Sequence, residues 1–496
     1  MWKVVPAPVE IEPAGGPPYE LTPRTLIRAP RPGGGAEVAE HLAALLRRAT
    51  GLPLPVVAAD ETDPDDTITL RVTGDAAPEA YRLEITPGGV VIRASTAAGL
   101  FYGGQTLRQL LPPAIESAAP APGPWTVPAG RITDRPRYPY RGAMLDVVRH
   151  FLPVAAVRRY IDAIALYKVN HLHLHLSDDQ GWRLEIQSWP RLAEIGGRSE
   201  VGGGPGGFYT QEEYADLVAY AARRHVTVVP EIDMPGHTNA ALAAYPELNP
   251  DGTARPPYTG TEVGFSSLDA HNERTYEFVA DVLREVAALT PGPYLHLGGD
   301  EAHSTRAEDY ALFLSRVQPL VTGLGKTVMG WHQMAATEPS PGRVLQFWGN
   351  GRDDSTLAAA VRAGARVVLS PPDRAYLDMK YDAGTPLGYD WAGHVDVRQS
   401  YEWEPGAYLA GVPAAVILGV EAPLWTETVT SLAEAEFLAF PRLPAIAELG
   451  WSPVEALDWA SFRERLAAHG PRWSAMGVSY HASPQIPWPA EESAFR

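Results

Sequence analysis

Apolar residues change their period along the chain, and the changes sort it into elements. Over residues 36–48 they recur at helical spacing, with Val38, Leu42, Leu45 and Leu46 on one face and Gly51 as a stop beyond. Residues 67–72, 81–85 and 90–93 read as strands, the last two joined by the turn signal Pro87-Gly88-Gly89. A second helix is predicted over 96–111, ended by Pro112-Pro113. Strands and helices mixed over so short a span predict a small α+β unit over residues 1–135, a sheet covered by helices. The Ala/Pro-rich stretch 118–124 reads as a linker.

From Tyr138 onward the pattern alternates between strand-like and helix-like runs. Strands are predicted at 142–148, 171–177, 227–233, 294–299, 327–331, 344–348, 367–370 and 416–421. Helices are predicted at 154–169, 211–225, 274–289, 307–324 and 433–449. Eight such steps predict an α/β fold of the (β/α)8 TIM-barrel kind over residues 136–496, preceded by the smaller α+β accessory domain; such barrels take about 250 residues before insertions. A doubly wound open sheet is the rival, disfavoured because no glycine-rich nucleotide loop follows an early strand. A barrel gathers its strand C-termini around one mouth. The residues that can do chemistry fall at those ends: Arg149, Asp178, Asp233, Asp300, Glu301, Trp331, Trp348, Tyr376, Asp378, Trp425 and Glu427. The stretches 180–210, 235–269 and 371–411 then become loops walling the mouth.

Composition narrows the function more than the fold. A net charge of −18 disfavours phosphate-mediated nucleic-acid binding and suits a neutral ligand such as a sugar. With no cysteine, disulfides, thiolate metal sites and cysteine nucleophiles are excluded. No run reaches about 18 uninterrupted apolar residues, so no membrane helix is expected. The opening residues lack a charged segment followed by an apolar run. A cytoplasmic protein is therefore expected, or a secreted one whose export signal has been removed. Thirteen tryptophans matter because several stand beside predicted strand ends, where an indole face can carry the C–H face of a sugar.

Four groups of residues carry candidate chemistry. In His296-Leu297-Gly298-Gly299-Asp300-Glu301 an aliphatic strand runs through two glycines into adjacent carboxylates. Glycines allow close approach of another molecule, and neighbouring buried acids suit a group that holds a proton near neutral pH. Adjacent side chains diverge, however. They are badly placed to flank a sugar at the about 5–5.5 Å a nucleophile and acid need. The second group, residues 171–182, alternates His171, His173 and His175 with leucines and ends in Asp178. Imidazoles filling the barrel interior are preferred over a zinc site built from His171, His173 and Asp178. The third, residues 230–237, leaves Asp233 and His237 at the mouth, where His237 can pair with a carboxylate. The fourth is aromatic: Trp331, Trp348, Tyr376, Trp391 and Trp425, with Glu427 two residues beyond the last, read as a cage around a small apolar substituent.

Together these stretches resemble glycoside hydrolase family 20, the β-N-acetylhexosaminidases, especially the exo-acting actinobacterial type. The matching segments are RGAMLDVVRHF (141–151), HLHLHLSDDQGW (171–182), EIDMPGHT (231–238), HLGGDEAH (296–303), GWHQ (330–333), YLDMKY (376–381) and EAPLWTE (421–427). The resemblance implies substrate-assisted catalysis: the 2-acetamido oxygen of the sugar attacks the anomeric carbon, and water opens the resulting oxazolinium ion with net retention. It implies that Glu301 is the general acid/base, that Asp300 holds the acetamido N–H, and that Tyr376 donates to the acetamido oxygen. Trp331, Trp348 and Trp425 would box the methyl group. Arg149, Asp378 and Glu427 would bind hydroxyls of the terminal sugar, with Trp391 among the substrate-binding aromatics. Asp178 and His237 would form a relay to Glu301. No metal or organic cofactor is implied, and the partner is an amino-sugar glycoside or oligosaccharide. The alternatives are a metal-dependent barrel hydrolase and a non-catalytic carbohydrate-binding protein.

Overall fold

Period-two alternation closes the second part of the chain on itself. In the computed structural model, which describes residues 2–30, 34–60, 64–74 and 77–489, eight parallel strands form a closed barrel in chain order. They are β1 (Tyr140–Asp146), β2 (His171–His175), β3 (Thr227–Glu231), β4 (Tyr294–His296), β5 (Thr327–Trp331), β6 (Val344–Phe347), β7 (Arg366–Leu369) and β8 (Ile417–Ala422). β8 pairs with β1 to complete the ring, Gly142 opposite Glu421.

Along β2 the leucines Leu172 and Leu174 face outward into the large apolar core under the helices. The histidines face inward. At the N-terminal end the barrel is plugged by a small apolar layer of Tyr140, Val229, Met329, Val344, Val368 and Leu418. Above that plug the filling is ionic. His173 lies between Glu421 (2.9 Å) and Glu231 (3.1 Å), and His175 between Glu231 (2.5 Å) and Asp178 (2.7 Å). Glu421 also accepts from Gln346 Nε2 (2.6 Å) and Tyr140 Oη (2.6 Å). Gly142 makes room for this, since a Cβ there would stand 2.5 Å from Glu421 Oε2.

The accessory domain is a mixed seven-stranded sheet. Helices Gly34–Thr50 and Ala97–Leu110 pack on it and on each other. Thr96 caps the second helix by accepting from Gly99 N. Strands Glu10–Pro13, Leu26–Ala29, Val56–Ala58 and Gly130–Asp134 of this sheet escape a pattern reading because they are short, and the first and third are also in part exposed. The stretch 118–124 is not a linker. Ala121 N donates to Ala49 O, and the chain then returns to the same sheet as Gly130–Asp134. The single helix expected over 433–449 is two, Leu432–Ala439 and Arg442–Trp451, broken where Pro441 has no N–H to give.

Domain and barrel share a buried polar joint. Lys168 Nζ meets Asp134 Oδ2 at 3.0 Å, and the same carboxylate accepts from Trp451 Nε1 (3.0 Å) and Tyr81 Oη (2.6 Å). Two closing helices, Trp459–Ala467 and Gly470–Met476, bind back across it. From them Arg465 donates to Val4 O, and Arg472 to Glu116 and to carbonyls of Arg108, Gln109 and Leu111.

Candidate active site

β4 stops after three residues, and the backbone beyond it turns sharply. Gly298 has φ +63° and Gly299 φ +90°, and Glu301 itself is held at φ +45°. A Cβ at Gly298 would lie 1.8 Å from Asp233 Oδ1, and one at Gly299 2.8 Å from Met334 Cγ. Only glycines let this strand end press against β3 and β5. The turn sends the neighbouring acids different ways. Asp300 is buried, whereas the Glu301 side chain keeps 26% of its surface at the rim. The divergence expected from the sequence is what the backbone enforces.

Behind the pair stands a chain of charge. His237 Nε2 lies 3.4 Å from Glu301 Oε2 and 3.7 Å from Asp300 Oδ2. Its Nδ1 is 2.9 Å from Asp178 Oδ1, and Asp178 Oδ2 meets both Arg149 (2.8 Å) and His175 (2.7 Å). Burial alone would raise Asp178, but Arg149, His237 and His175 outweigh it and hold its carboxyl well below the usual range. Burial would likewise strip the proton from His237, yet the surrounding acids, Asp178 foremost, keep its pKa well above that of a free imidazole. Asp300 is pushed up to about 6, by burial and by Glu301, with His237 pulling the other way. Asp146 fixes the arginine: its Oδ1 accepts the N–H groups of Val148 (2.7 Å) and Arg149 (3.1 Å), and its Oδ2 accepts from Thr426 N and the guanidinium.

These groups open into a cavity of about 320 Å³ at the C-terminal mouth of the barrel. Of the residues singled out in the sequence, Arg149, Asp300, Glu301, Trp348, Tyr376, Asp378, Trp391, Trp425 and Glu427 line it. Asp178, His237 and Trp331 lie beneath. Trp331 is fully buried with its N–H on Glu231 (2.9 Å), its ring 5.8 Å from that of Trp425. Tyr376 stands 6.0 Å from Trp391 and 6.4 Å from Trp425, and Trp391 meets Trp348 edge-on at 6.3 Å. This is the aromatic cage. Burial, with Asp378 and Asp300 near, holds the Tyr376 hydroxyl far above its ordinary pKa, so it stays a donor. Across the cavity Asp378 Oδ1 and Glu427 Oε2 are buried acceptors with no partner among the described residues, a fit to ligand hydroxyls. Thr261, Val263 and Tyr389 complete the wall, from loops whose course no local pattern reveals.

The structure does not gather His171, His173 and Asp178. His171 stacks on Tyr140 (4.0 Å) below His173, and Asp178 is reached only through His175. Other acid–imidazole groups do converge, His173, Glu231 and His296 among them. Both ring nitrogens of His173 are bonded to carboxylates, Glu421 and Glu231; burial opposes charge on it, but these two acids raise its pKa to about 9.

Comparison with known proteins settles the family. The glycosyl hydrolase family 20 catalytic-domain model matches residues 138–309 and 303–454, and the family's domain 2 model matches residues 1–135. The chain belongs to glycosyl hydrolase family 20. It is a glycoside hydrolase of the β-N-acetylhexosaminidase kind. It is 44% identical to a β-N-acetylhexosaminidase of Cellulomonas fimi over 99% of this chain and 98% of that one. A Streptomyces plicatus N-acetyl-β-hexosaminidase in complex with Thio-NAglucal superposes with a TM-score of 0.95 at 56% identity, covering 98% of each chain. The Streptomyces coelicolor family 20 β-N-acetylhexosaminidase matches equally, covering 98% of this chain and 99% of that one. A mutant of the S. plicatus enzyme is described in complex with GlcNAc as product.

Proposed function

We propose that this family 20 enzyme removes terminal non-reducing N-acetylglucosamine or N-acetylgalactosamine with retention, the sugar's own acetamido oxygen serving as nucleophile. The observation that carries this is the split of the Asp300-Glu301 pair: one acid buried beside the aromatic cage, the other at the rim. Glu301 at the rim protonates the leaving oxygen and then activates water. Asp300 accepts the acetamido N–H and stabilises the developing positive charge, and Tyr376 donates to the acetamido oxygen. Trp348 and Trp425 enclose the methyl group, with Trp331 as the floor behind them. Arg149, Asp378 and Glu427 bind sugar hydroxyls, and Trp391, half-exposed at the entrance, offers its face to the sugar. Asp178 and His237 hold and tune Glu301. A well-oriented internal nucleophile is worth about 7–11 kcal/mol, which removes the need for a second carboxylate on the opposite face.

The test is a panel of aryl β-glycosides with and without the 2-acetamido group. Turnover of the N-acetylglucosaminide with none of the plain glucoside is expected. Comparable cleavage of a glucoside bearing a 2-hydroxyl would overturn the assignment.

A further inference from the structure

Asp233 follows β3 and lies beside Asp300, yet the mechanism above gives it no part. Its side chain is sealed from solvent. Oδ1 accepts the backbone N–H of Gly299 at 3.0 Å. Oδ2 is buried with no partner among the described residues, and so is Asp300 Oδ1. An oxygen of each carboxyl and a ring nitrogen of His237 lie within 4.8 Å of one another. Two ionised carboxylates in so small and dry a space repel strongly. One proton shared between them removes that repulsion and satisfies both orphaned oxygens.

The surroundings decide which acid keeps the proton. The charged and titratable groups facing the pair are His237, Glu301, Glu231 and Tyr376, together with His175 on β2 and Tyr310 on the helix Ala307–Gly323, whose hydroxyl donates to Gly299 O at 2.6 Å. Burial and Asp300 hold Asp233 well above the usual carboxylate range. Burial raises Asp300 as well, but His237 pulls it down, and it stands at about 6. Asp300 opens onto the cavity whereas Asp233 is sealed behind it, which favours Asp233 as the holder of the proton.

We propose that Asp233 is a positioning residue: it stays a neutral carboxylic acid, donates its O–H to Asp300, and so fixes the Asp300 anion with its other oxygen turned to the acetamido N–H. This rests on the reading of Asp300 as the acetamido partner. The same chemistry predicts which replacement is tolerated. Asparagine keeps an oxygen for Gly299 N–H and an N–H for Asp300, and alanine keeps neither.

The experiment compares Asp233→Asn, Asp233→Ala and Asp300→Asn on a nitrophenyl N-acetylglucosaminide, reading kcat and KM from about pH 4 to about pH 8, with melting curves for each variant. D233N is expected to keep kcat within about fivefold of the parent across that range. D233A is expected to lose about 100-fold in kcat with little change in KM, the size of one lost transition-state group. A D233N variant as damaged as Asp300→Asn, or a folded D233A variant within about threefold of the parent, overturns the inference. Should D233A fail to fold, D233N alone decides: retained kcat supports the neutral donor, and a loss of about 100-fold sinks it. A near-normal Asp300→Asn would instead sink the reading of Asp300 itself.

Discussion

At the residue scale the site works by setting equal side chains in unequal surroundings. Glu301 and Asp300 are neighbours in sequence, yet one meets solvent and the other is buried between His237 and Asp233. Glu301→Gln is therefore expected to abolish turnover of substrates with poor leaving groups and to spare the first step for very good ones. Steady-state rates across a leaving-group series would show it, and equal losses for all members would count against the acid role. Asp300 also carries a stability consequence. Folded, its pKa is about 6, above the 3.8 of a free aspartate. Between those values the native state holds a proton that the unfolded chain has released, so stability falls as pH rises through that window. Asp300→Asn removes the titration. It is expected to melt higher than the parent at pH 7, by on the order of 1–3 kcal/mol, and to lose that advantage as the pH falls toward 4. A difference in melting temperature that does not change with pH would contradict this.

At the scale of elements, the strand end after β4 is where sequence and geometry speak most plainly to one another. Gly298-Gly299 was legible as a place of close approach, and both residues adopt positive φ against β3 and β5. Gly298→Ala puts a methyl group into Asp233, and we expect a loss of about 2 kcal/mol or more in stability together with near-complete loss of activity. A melting curve and a kcat measurement check both, and a fully active, equally stable variant would show that the turn can relax. Most of the barrel strands were readable because they put apolar residues outward at period two, and the three-residue β4 was readable from the aliphatic run that leads into its glycines and acids. The edges of the accessory sheet were not, because short, half-exposed strands such as Val56–Ala58 carry too few residues for any period to show. The same limit applies to the cavity wall. Strand-end residues were found by position, whereas Thr261, Val263 and Tyr389 reach the cavity along loops, where side-chain direction depends on tertiary packing. Asp233 was seen at the mouth, but its partnership with Asp300 is a contact between two strands that no spacing encodes.

At the scale of the whole molecule, the accessory domain is fastened to the barrel through charge as well as through the continuous apolar core. Asp134 serves Lys168, Trp451 and Tyr81 at once, with the Asp134 and Lys168 side chains fully buried. Removing one partner of such a pair leaves the other desolvated and alone. Asp134→Ala should cost about 3–5 kcal/mol, far more than a surface substitution, and should lower the melting temperature at a distance from the cavity. A melting point unchanged within error would mean that Lys168 finds another acceptor. Assay of the surviving folded fraction should give near-normal KM.

The stack of imidazoles and carboxylates through the barrel centre has an evolutionary corollary. His175, Glu231, His173 and Glu421 are linked end to end, so each occupant is needed by the next. Replacing any one strands its neighbours, and exchanging all four together would still strand Trp331, Gln346, Tyr140 and Asp178, which bond to them. Stepwise drift is thus blocked along this column even where the column touches no sugar, and its composition should be frozen for reasons of wiring rather than of recognition.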